Sequence, residues 1–257
     1  MHMKKLTAKL ISKLDATTIR FQAEIINRLK LFDFSKSAIL HYSESQKKEF
    51  QGYSFEKLQT RFKLVGFKEG RSVKSIDYKD MVTTGNSYIK GELSDSIFVL
   101  NMATFEHWLL WVLRSRILSN PKEFYPKSNK KIDVTYLRKF TNMPMLWEEL
   151  VDDYLSTLPY KGMKTLLKTF LSCFGLKEID FTKNLLGMLT ENSQCRNIIM
   201  HNQKKVNATY TKRCRRFGKF TEGEIIVVSE DLLFDQADNL LRFMQDFRNH
   251  AKDRKTV

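Results

Sequence analysis

Leu93 to Leu118 reads LSDSIFVLNMATFEHWLLWVLRSRIL, and it is apolar on nearly every side of a helix. Phe98, Met102, Phe105, Leu109 and Val112 share one face, while Val99, Trp108, Trp111 and Leu118 lie on others. A helix of this kind belongs at the centre of a bundle. Its polar members, Asn101, Glu106, His107, Arg114 and Arg116, are ones a membrane span tolerates poorly, so the segment predicts the core of a soluble protein. Glu106 falls between Met102 and Leu109 or Leu110 on the helical net. Its carboxylate is therefore expected to be partly buried, and a buried carboxylate needs a partner.

Outward from this helix the pattern stays helical. The 257 residues are 42% hydrophobic, enough for one large domain or two small ones. Only four prolines and ten glycines interrupt them, with no regular spacing of turns, which favours long helices over a sandwich or barrel. Leu6 to about Phe34 predicts one amphipathic helix through Leu6, Leu10, Leu14, Ile19, Ile25, Ile26 and Leu29. Ser43 to Val65 reads as a second, and residues 66–91 as a polar connection. After a basic loop from Asn120-Pro121 to Lys131, short helices are expected at 134–140, 144–156 and 160–174. Asp180 is the expected N-cap of a helix running from Phe181 to about His201, and Ser229 the cap of the last helix. Glu224 to Val228, rich in β-branched residues, allows one short β element. The expected fold is all-α, with residues 1–92 as an N-terminal helical region and 93–257 as the main helical domain.

With 44 Lys plus Arg against 29 Asp plus Glu, the net charge of +15 favours polyanions such as RNA, DNA or an anionic surface. The three cysteines form no CxxC pair, so neither a zinc knuckle nor a disulfide framework is suggested, and no cofactor or metal is expected. Met1 to Lys9 is basic but leads into an amphipathic pattern, unlike a signal peptide. A cytoplasmic location is the expectation.

The stretch Arg196-Asn197-Ile198-Ile199-Met200-His201-Asn202 carries the chemistry. RNA is cut without metal when its own 2′-hydroxyl attacks the adjacent phosphorus, because the ribose already holds the nucleophile near its target. Such a reaction needs an imidazole to move a proton and a guanidinium to hold the charge on the phosphorane oxygens. His201 and Arg196 suit those roles. On an ideal helix, residues five apart lie about 140° apart, whereas Asn197 and His201 share a face. Either the helix ends or bends near His201, with Asn197 or Asn202 orienting the imidazole, or a second copy of the chain completes the site. Downstream, Lys204, Lys205, Lys212, Arg213, Arg215 and Arg216 follow with no acid among them and with Tyr210 and Phe217 interleaved. They are candidate RNA contacts with a phosphate-backbone role, Tyr210 among them.

Arg196-Asn197-x-x-x-His201-Asn202 resembles the Arg-x4–6-His signature of the HEPN superfamily, a helical-bundle group that includes many RNA endonucleases of bacterial defence and toxin–antitoxin systems. Lys205-Val206-Asn207, Tyr210, the Glu224–Val228 segment, the Ser-Glu-Asp start of the last helix and Phe105-Glu106-x-Trp108-Leu109 are arranged as in its RiboL-PSP-like branch. The resemblance spans roughly residues 93 to 253. It implies a HEPN-like bundle, a homodimer in which two Arg/His pairs meet in a basic cleft, and cleavage of RNA to a 2′,3′-cyclic phosphate. By position, Arg196 and His201 match the catalytic pair, Asn197 the polar residue after the arginine, and Glu106 an acid that could contact the arginine. A single-stranded or tRNA-like RNA, and an antitoxin or defence partner protein, are the implied partners. This chain departs from the branch in having Gln203-Lys204 where glycines often follow His-Asn, and in an insertion around 120–178.

Two other readings compete. A non-catalytic RNA-binding or partner-binding module would keep the motif as structure and bind RNA in a salt-sensitive way without cutting it. A DNA-binding regulator would need a helix-turn-helix with a short glycine turn, and no such pattern stands out.

Overall fold

The central apolar segment folds as the helix the pattern demands. In the computed structural model, which describes residues 7–49, 78–121, 134–216 and 218–253, it forms Ser94–Ser119. The helices in chain order are α1 (Ala8–Glu49), α2 (Tyr78–Tyr88), α3 (Ser94–Ser119), α4 (Val134–Leu137), α5 (Met143–Thr157), α6 (Met163–Phe174), α7 (Leu185–His201), α8 (Ala208–Arg213) and α9 (Glu230–Asp253). Helices α1, α5, α6, α7 and α9 all pack against α3. The chain is an all-α bundle, with no strand among the described residues.

The core is built around Trp108, which is fully buried and lies within 5.6–6.1 Å, centroid to centroid, of Phe105, Phe170, Phe243 and Phe247. Phe181 stacks on Phe243 at 4.6 Å. Aromatic packing of this kind joins α3, α6 and α9 into one hydrophobic unit, the stacked and edge-to-face pairs adding to the plain area term. By length and composition Thr83–Ser119 could cross a membrane, but 56% of its most apolar window is buried inside the bundle, as in a core helix.

Helix α1 differs from the expectation. It runs unbroken for 42 residues, past Phe34 and through Ser43, where a second helix was expected to begin; residues 50–65 lie outside the described residues. No glycine or proline stands between Phe34 and Glu49 to stop it. Its buried stripe is Ile11, Leu14, Thr18, Phe21, Ile25 and Phe32, whereas Ile19 and Ile26 face solvent. The stripe spacing alternates between three and four, which keeps one seam against the core. Leu14, Phe21, Ile25 and Phe32 belong to the same hydrophobic cluster as α3. Trp108 Nε1 donates to Thr18 Oγ1 at 3.2 Å, and Thr18 Oγ1 donates to the Leu14 carbonyl at 2.7 Å. Arg28 reaches α3 as well, donating to Thr104 Oγ1 at 2.7 Å.

Residues 78–91, expected as connection, are helical instead. Helix α2 approaches α1 so closely that a Cβ on Gly85 would come within 2.9 Å of Ile39 Cγ2. Between α2 and α3 the helix widens into one π-turn, Ile89–Leu93, where Ser94 Oγ donates to the Ile89 carbonyl at 2.6 Å and occupies an acceptor freed by the wider turn. The expected helices at 134–140, 144–156 and 160–174 appear as α4, α5 and α6, with 3-10 turn Pro159–Lys161 before the last. Gly175, in the left-handed region at φ 59°, ends α6.

Asp180 does not cap α7. Its Oδ2 accepts from Lys177 N at 2.7 Å and closes the 3-10 turn Glu178–Asp180, while α7 begins after Asn184 in a left-handed conformation. Ser229 does cap α9, Oγ accepting from Leu232 N at 3.2 Å. The expected β element is reduced to a single antiparallel bridge between Lys205 and Ile225. It is carried by Val206 N to the Glu224 carbonyl and Ile226 N to the Lys204 carbonyl, both 2.8 Å.

If α1 is part of the bundle, denaturant should unfold the chain in a single transition. Thr18→Val, which leaves the buried Trp108 N–H without an acceptor, should lower its stability by about 1–3 kcal/mol, and Thr18→Ser should leave it nearly unchanged. Two resolved transitions in a urea titration followed by circular dichroism would contradict the shared core.

Candidate functional site

Helix α7 is buried on all sides through Glu191, Asn192, Ser193 and Gln194 and emerges from the core toward His201. Leu185, Leu189, Cys195 and Ile198 are buried against the bundle, and Arg196 points to α3. Glu106 on α3 receives it: Arg196 Nη2 donates to Glu106 Oε2, across 90 residues of sequence, with the two side chains 23% and 19% exposed. Arg196 Nη1 donates to Asn197 Oδ1 at 3.1 Å. Its Nε is buried without a partner among the described residues. Glu106 thus has the partner that its place on the core helix requires. Burial pushes its carboxyl above the usual carboxylate range, and the Arg196 guanidinium pulls it back by charge and hydrogen bond. The bond geometry is that of an ion pair.

A second pair runs parallel to the first. Lys204 Nζ meets Asp95 Oδ2 near the start of α3. Asp95 and Glu106 are eleven residues apart and so lie on one face of α3, about 16 Å apart along its axis. Arg196 and Lys204 meet them in the opposite chain direction. The two ion pairs hold the end of α7 and its exit turn along α3.

Comparison with known protein families, with curated proteins and with solved structures gave no match. The reading of the site therefore rests on its own geometry.

Helix α7 stays regular through His201 and ends there, with Asn202 as C-cap at φ −128°. The helix thus ends where the motif ends, but it does not bend between Arg196 and His201, so within one chain their offset of about 140° persists. His201 is exposed. Neither asparagine orients it: Asn197 accepts from Arg196, and Asn202 Nδ2 donates to the Lys205 carbonyl inside the exit turn. Those bonds hold the guanidinium and the turn instead.

The exit turn keeps a glycine-like backbone without glycine. Gln203 and Lys204 have φ of 50° and 64°, both in the left-handed region that side chains disfavour. The chain reverses there and returns along the Lys205–Ile225 bridge.

Tyr210, a candidate RNA contact by sequence, is buried and unavailable to it. Its hydroxyl donates to Glu191 Oε1 at 2.7 Å, and the same carboxylate oxygen accepts from Lys219 N at 2.6 Å. The ring is thereby a bolt between α7, α8 and the following loop, and no base can reach it. Phe217 lies outside the described residues. Lys212, Arg213, Arg215 and Arg216 are exposed and line a hollow between α6, the start of α7 and α8, while Lys205 is exposed in the bridge. Three cations of the same hollow, Lys164, Lys168 and Lys177, escaped the sequence reading. The four-residue spacing of Lys164 and Lys168 on the polar side of an amphipathic helix was the available signal.

Cys195 and Cys214 are buried thiols, pushed up by burial, the latter to about 12, which removes them as nucleophiles. His250 Nε2 lies 2.6 Å from the Asp180 carbonyl, and the His107 ring packs edge-on to Phe21 at 5.4 Å. Among the described residues no group of three or more His, Cys, Asp or Glu could hold a metal ion.

Glu106→Ala, which strands Arg196 half-buried, should lower stability by about 1–3 kcal/mol, a partly exposed pair losing less than a fully buried one. Glu106→Gln, which keeps the shape and a hydrogen-bond acceptor, should lower it by less, both read from urea midpoints. Gln203→Gly should raise stability by about 0.5–1 kcal/mol, the left-handed penalty less glycine's extra chain entropy. Lys204→Gly should lower it, because Asp95 loses its ammonium; a gain at both positions would show that the Asp95 pair contributes nothing.

Proposed function

We propose that the chain is a metal-independent endoribonuclease of the HEPN type, acting as a homodimer. The observation that carries this reading is Arg196, held on α3 by Glu106, at the end of a helix that presents an exposed His201. A guanidinium fixed in this way leaves two Nη N–H donors for phosphate oxygens, since Glu106 and Asn197 take two of its five and the Nε–H is buried. The imidazole, held by no hydrogen bond to a described residue, is free to exchange a proton with substrate.

In the proposed reaction the 2′-oxygen of a ribose bonds to the adjacent phosphorus, the bond from phosphorus to the 5′-oxygen breaks, and His201 transfers the proton between them. The products are a 2′,3′-cyclic phosphate and a 5′-hydroxyl. Arg196 stabilises the oxygens of the phosphorane. Because the pair diverges on one helix, the reading requires that Arg196 of one protomer act beside His201 of its partner or that two α7 ends meet around one phosphate. The resemblance implies a bacterial toxin–antitoxin or antiphage setting in the cytoplasm, with single-stranded or tRNA-like RNA as substrate and a restraining partner protein.

One observation favours a second reading. Arg196 is committed to Glu106 and Asn197, which is also how a purely structural arginine would sit, and the chain would then bind RNA without cutting it.

Cleavage of a structured RNA should persist in excess EDTA and yield cyclic-phosphate ends. His201→Ala should slow it by about 10²–10⁴-fold, the usual contribution of a general acid–base group, without changing the melting temperature. Activity abolished by EDTA, or undiminished in His201→Ala, overturns the mechanism; salt-sensitive binding with no product from the unmodified chain supports the second reading.

A further inference from the structure

Several cations on this surface are matched by a carboxylate. Arg114 grips Asp152 at 2.6 and 3.0 Å, Lys219 meets Asp235 at 3.0 Å, Arg242 meets Asp238 at 2.7 Å, and Lys36 meets Glu230 at 2.5 Å. One region gathers seven that are not. Between α6, the first turns of α7 and α8 lies a hollow of about 830 Å³ whose floor is leucine, Leu167, Leu171, Leu176 and Leu186. Helix α6 and the turn after it supply Lys164, Lys168 and Lys177 to one wall. The opposite wall carries Lys212, Arg213, Arg215 and Arg216. Glu178 is the only acid that lines it, and among the described residues none of these cations forms an ion pair.

Like charges gathered around a concave surface repel one another and focus a positive potential into it, which an anionic occupant relieves. The occupant must carry several negative charges, since seven cations from α6, the turn after it, α8 and the residues that follow α8 line the hollow. A free nucleotide would call for a few convergent polar groups and a ring platform; among the described residues no aromatic side chain lines the hollow. A phosphodiester strand fits better.

Helix α7 gives that strand a direction. Leu186 and Thr190 line the hollow, and Gln194, one turn on, accepts from Arg213 Nη1 at 3.4 Å. At successive steps of three or four residues the same face continues through Asn197 to His201. From Thr190 to His201 the helix rises by about 16 Å, a distance that a few nucleotides span. The geometry points to a substrate groove: a single RNA strand lies between α6 and α8, its phosphates on the lysine and arginine walls, and passes over Arg213, which covers the buried Gln194, to the partly exposed Asn197 and the exposed His201 at the end of α7. That the groove feeds His201 rests on the ribonuclease reading, whereas its binding of a strand does not. Helix α6 falls inside the stretch 120–178 that departs from the HEPN pattern, so this wall is a property of this chain.

The test uses the full chain and a short single-stranded oligonucleotide with 2′-O-methyl groups throughout, which cannot be cut by 2′-attack, followed by fluorescence anisotropy. Lys164→Gln with Lys168→Gln should weaken binding at least about tenfold at moderate salt and reduce the slope of log affinity against log salt by about 1.4, two contacts at about 0.7 each. Lys9→Gln with Lys30→Gln, an equal loss of charge at two exposed positions on α1, should change affinity by less than about twofold. Equal effects of the two pairs would overturn the groove, leaving only net charge. Tighter binding of ATP than of the oligonucleotide, sensitive to the same two lysines, would also overturn it in favour of a free-nucleotide pocket. Cleavage is read separately. Strand binding lost in the α6 variant, from a chain that cuts no RNA, upholds the groove while the ribonuclease reading fails; cleavage with an unchanged KM in the α6 variant sinks the groove and spares the ribonuclease.

Discussion

A carboxylate on the most apolar helix of a bundle must be matched before that helix can be buried, and Glu106 is matched by Arg196. Much else follows from that pairing. It sets the rotation of α7 about its own axis: with Arg196 turned to α3, the face carrying Thr190, Asn197 and His201 is turned away from it. Lys204 and Asp95 then fix α7 along that axis. A single electrostatic requirement inside the core thus decides which side of the motif helix meets solvent. The pair stabilises little by itself, because desolvation offsets most of the attraction. Its effect is on geometry.

Around that constraint, the hydrophobic core supplies the net stability. Trp108 and the phenylalanines of α3, α6 and α9 form one aromatic cluster, and α1 lies on it through a buried stripe and the Thr18 hydroxyl. Polar groups in this interior are placed one by one. Gln236 Nε2 donates to the Phe98 carbonyl at 2.9 Å, and Glu191 gathers the Tyr210 hydroxyl and the Lys219 amide. Each ties two segments distant in sequence, and each leaves the surface free to carry charge.

What could be read from the sequence was local. The pattern of Leu93–Leu118 made it a core helix, the Ser229 cap marked the last helix, and Glu106 announced its need of a partner without naming which. Helix α1 was drawn too short because its apolar period fades beyond Phe32 while nothing in the chain stops it. Helix α2 was missed because its hold on α1 depends on an absent side chain, the Gly85 Cβ, and a missing atom leaves no hydrophobic signal. Tyr210 was misjudged for a nonlocal reason: among basic residues an aromatic suggests an RNA contact, but its partner Glu191 lies on another helix. The wall of α6 was overlooked because Lys164 and Lys168 resemble any solvated lysines until the fold sets them opposite Arg213 and Arg215.

The exit turn after His201 has a consequence for the spacing of the chain. Gln203 and Lys204 reverse the backbone, and Val206, Ile226 and Val228 are then buried while Ile225 and Val227 face out, the two-residue alternation of extended chain. One residue added at 203–205 would invert that alternation on the returning segment and pull the Lys204 ammonium off Asp95. One residue added at 221–223 would break the bond from Gly223 N to the Val206 carbonyl and the Thr221–Glu224 turn. The distance from the motif to the bridge and the turn that returns to it are thus both fixed rulers.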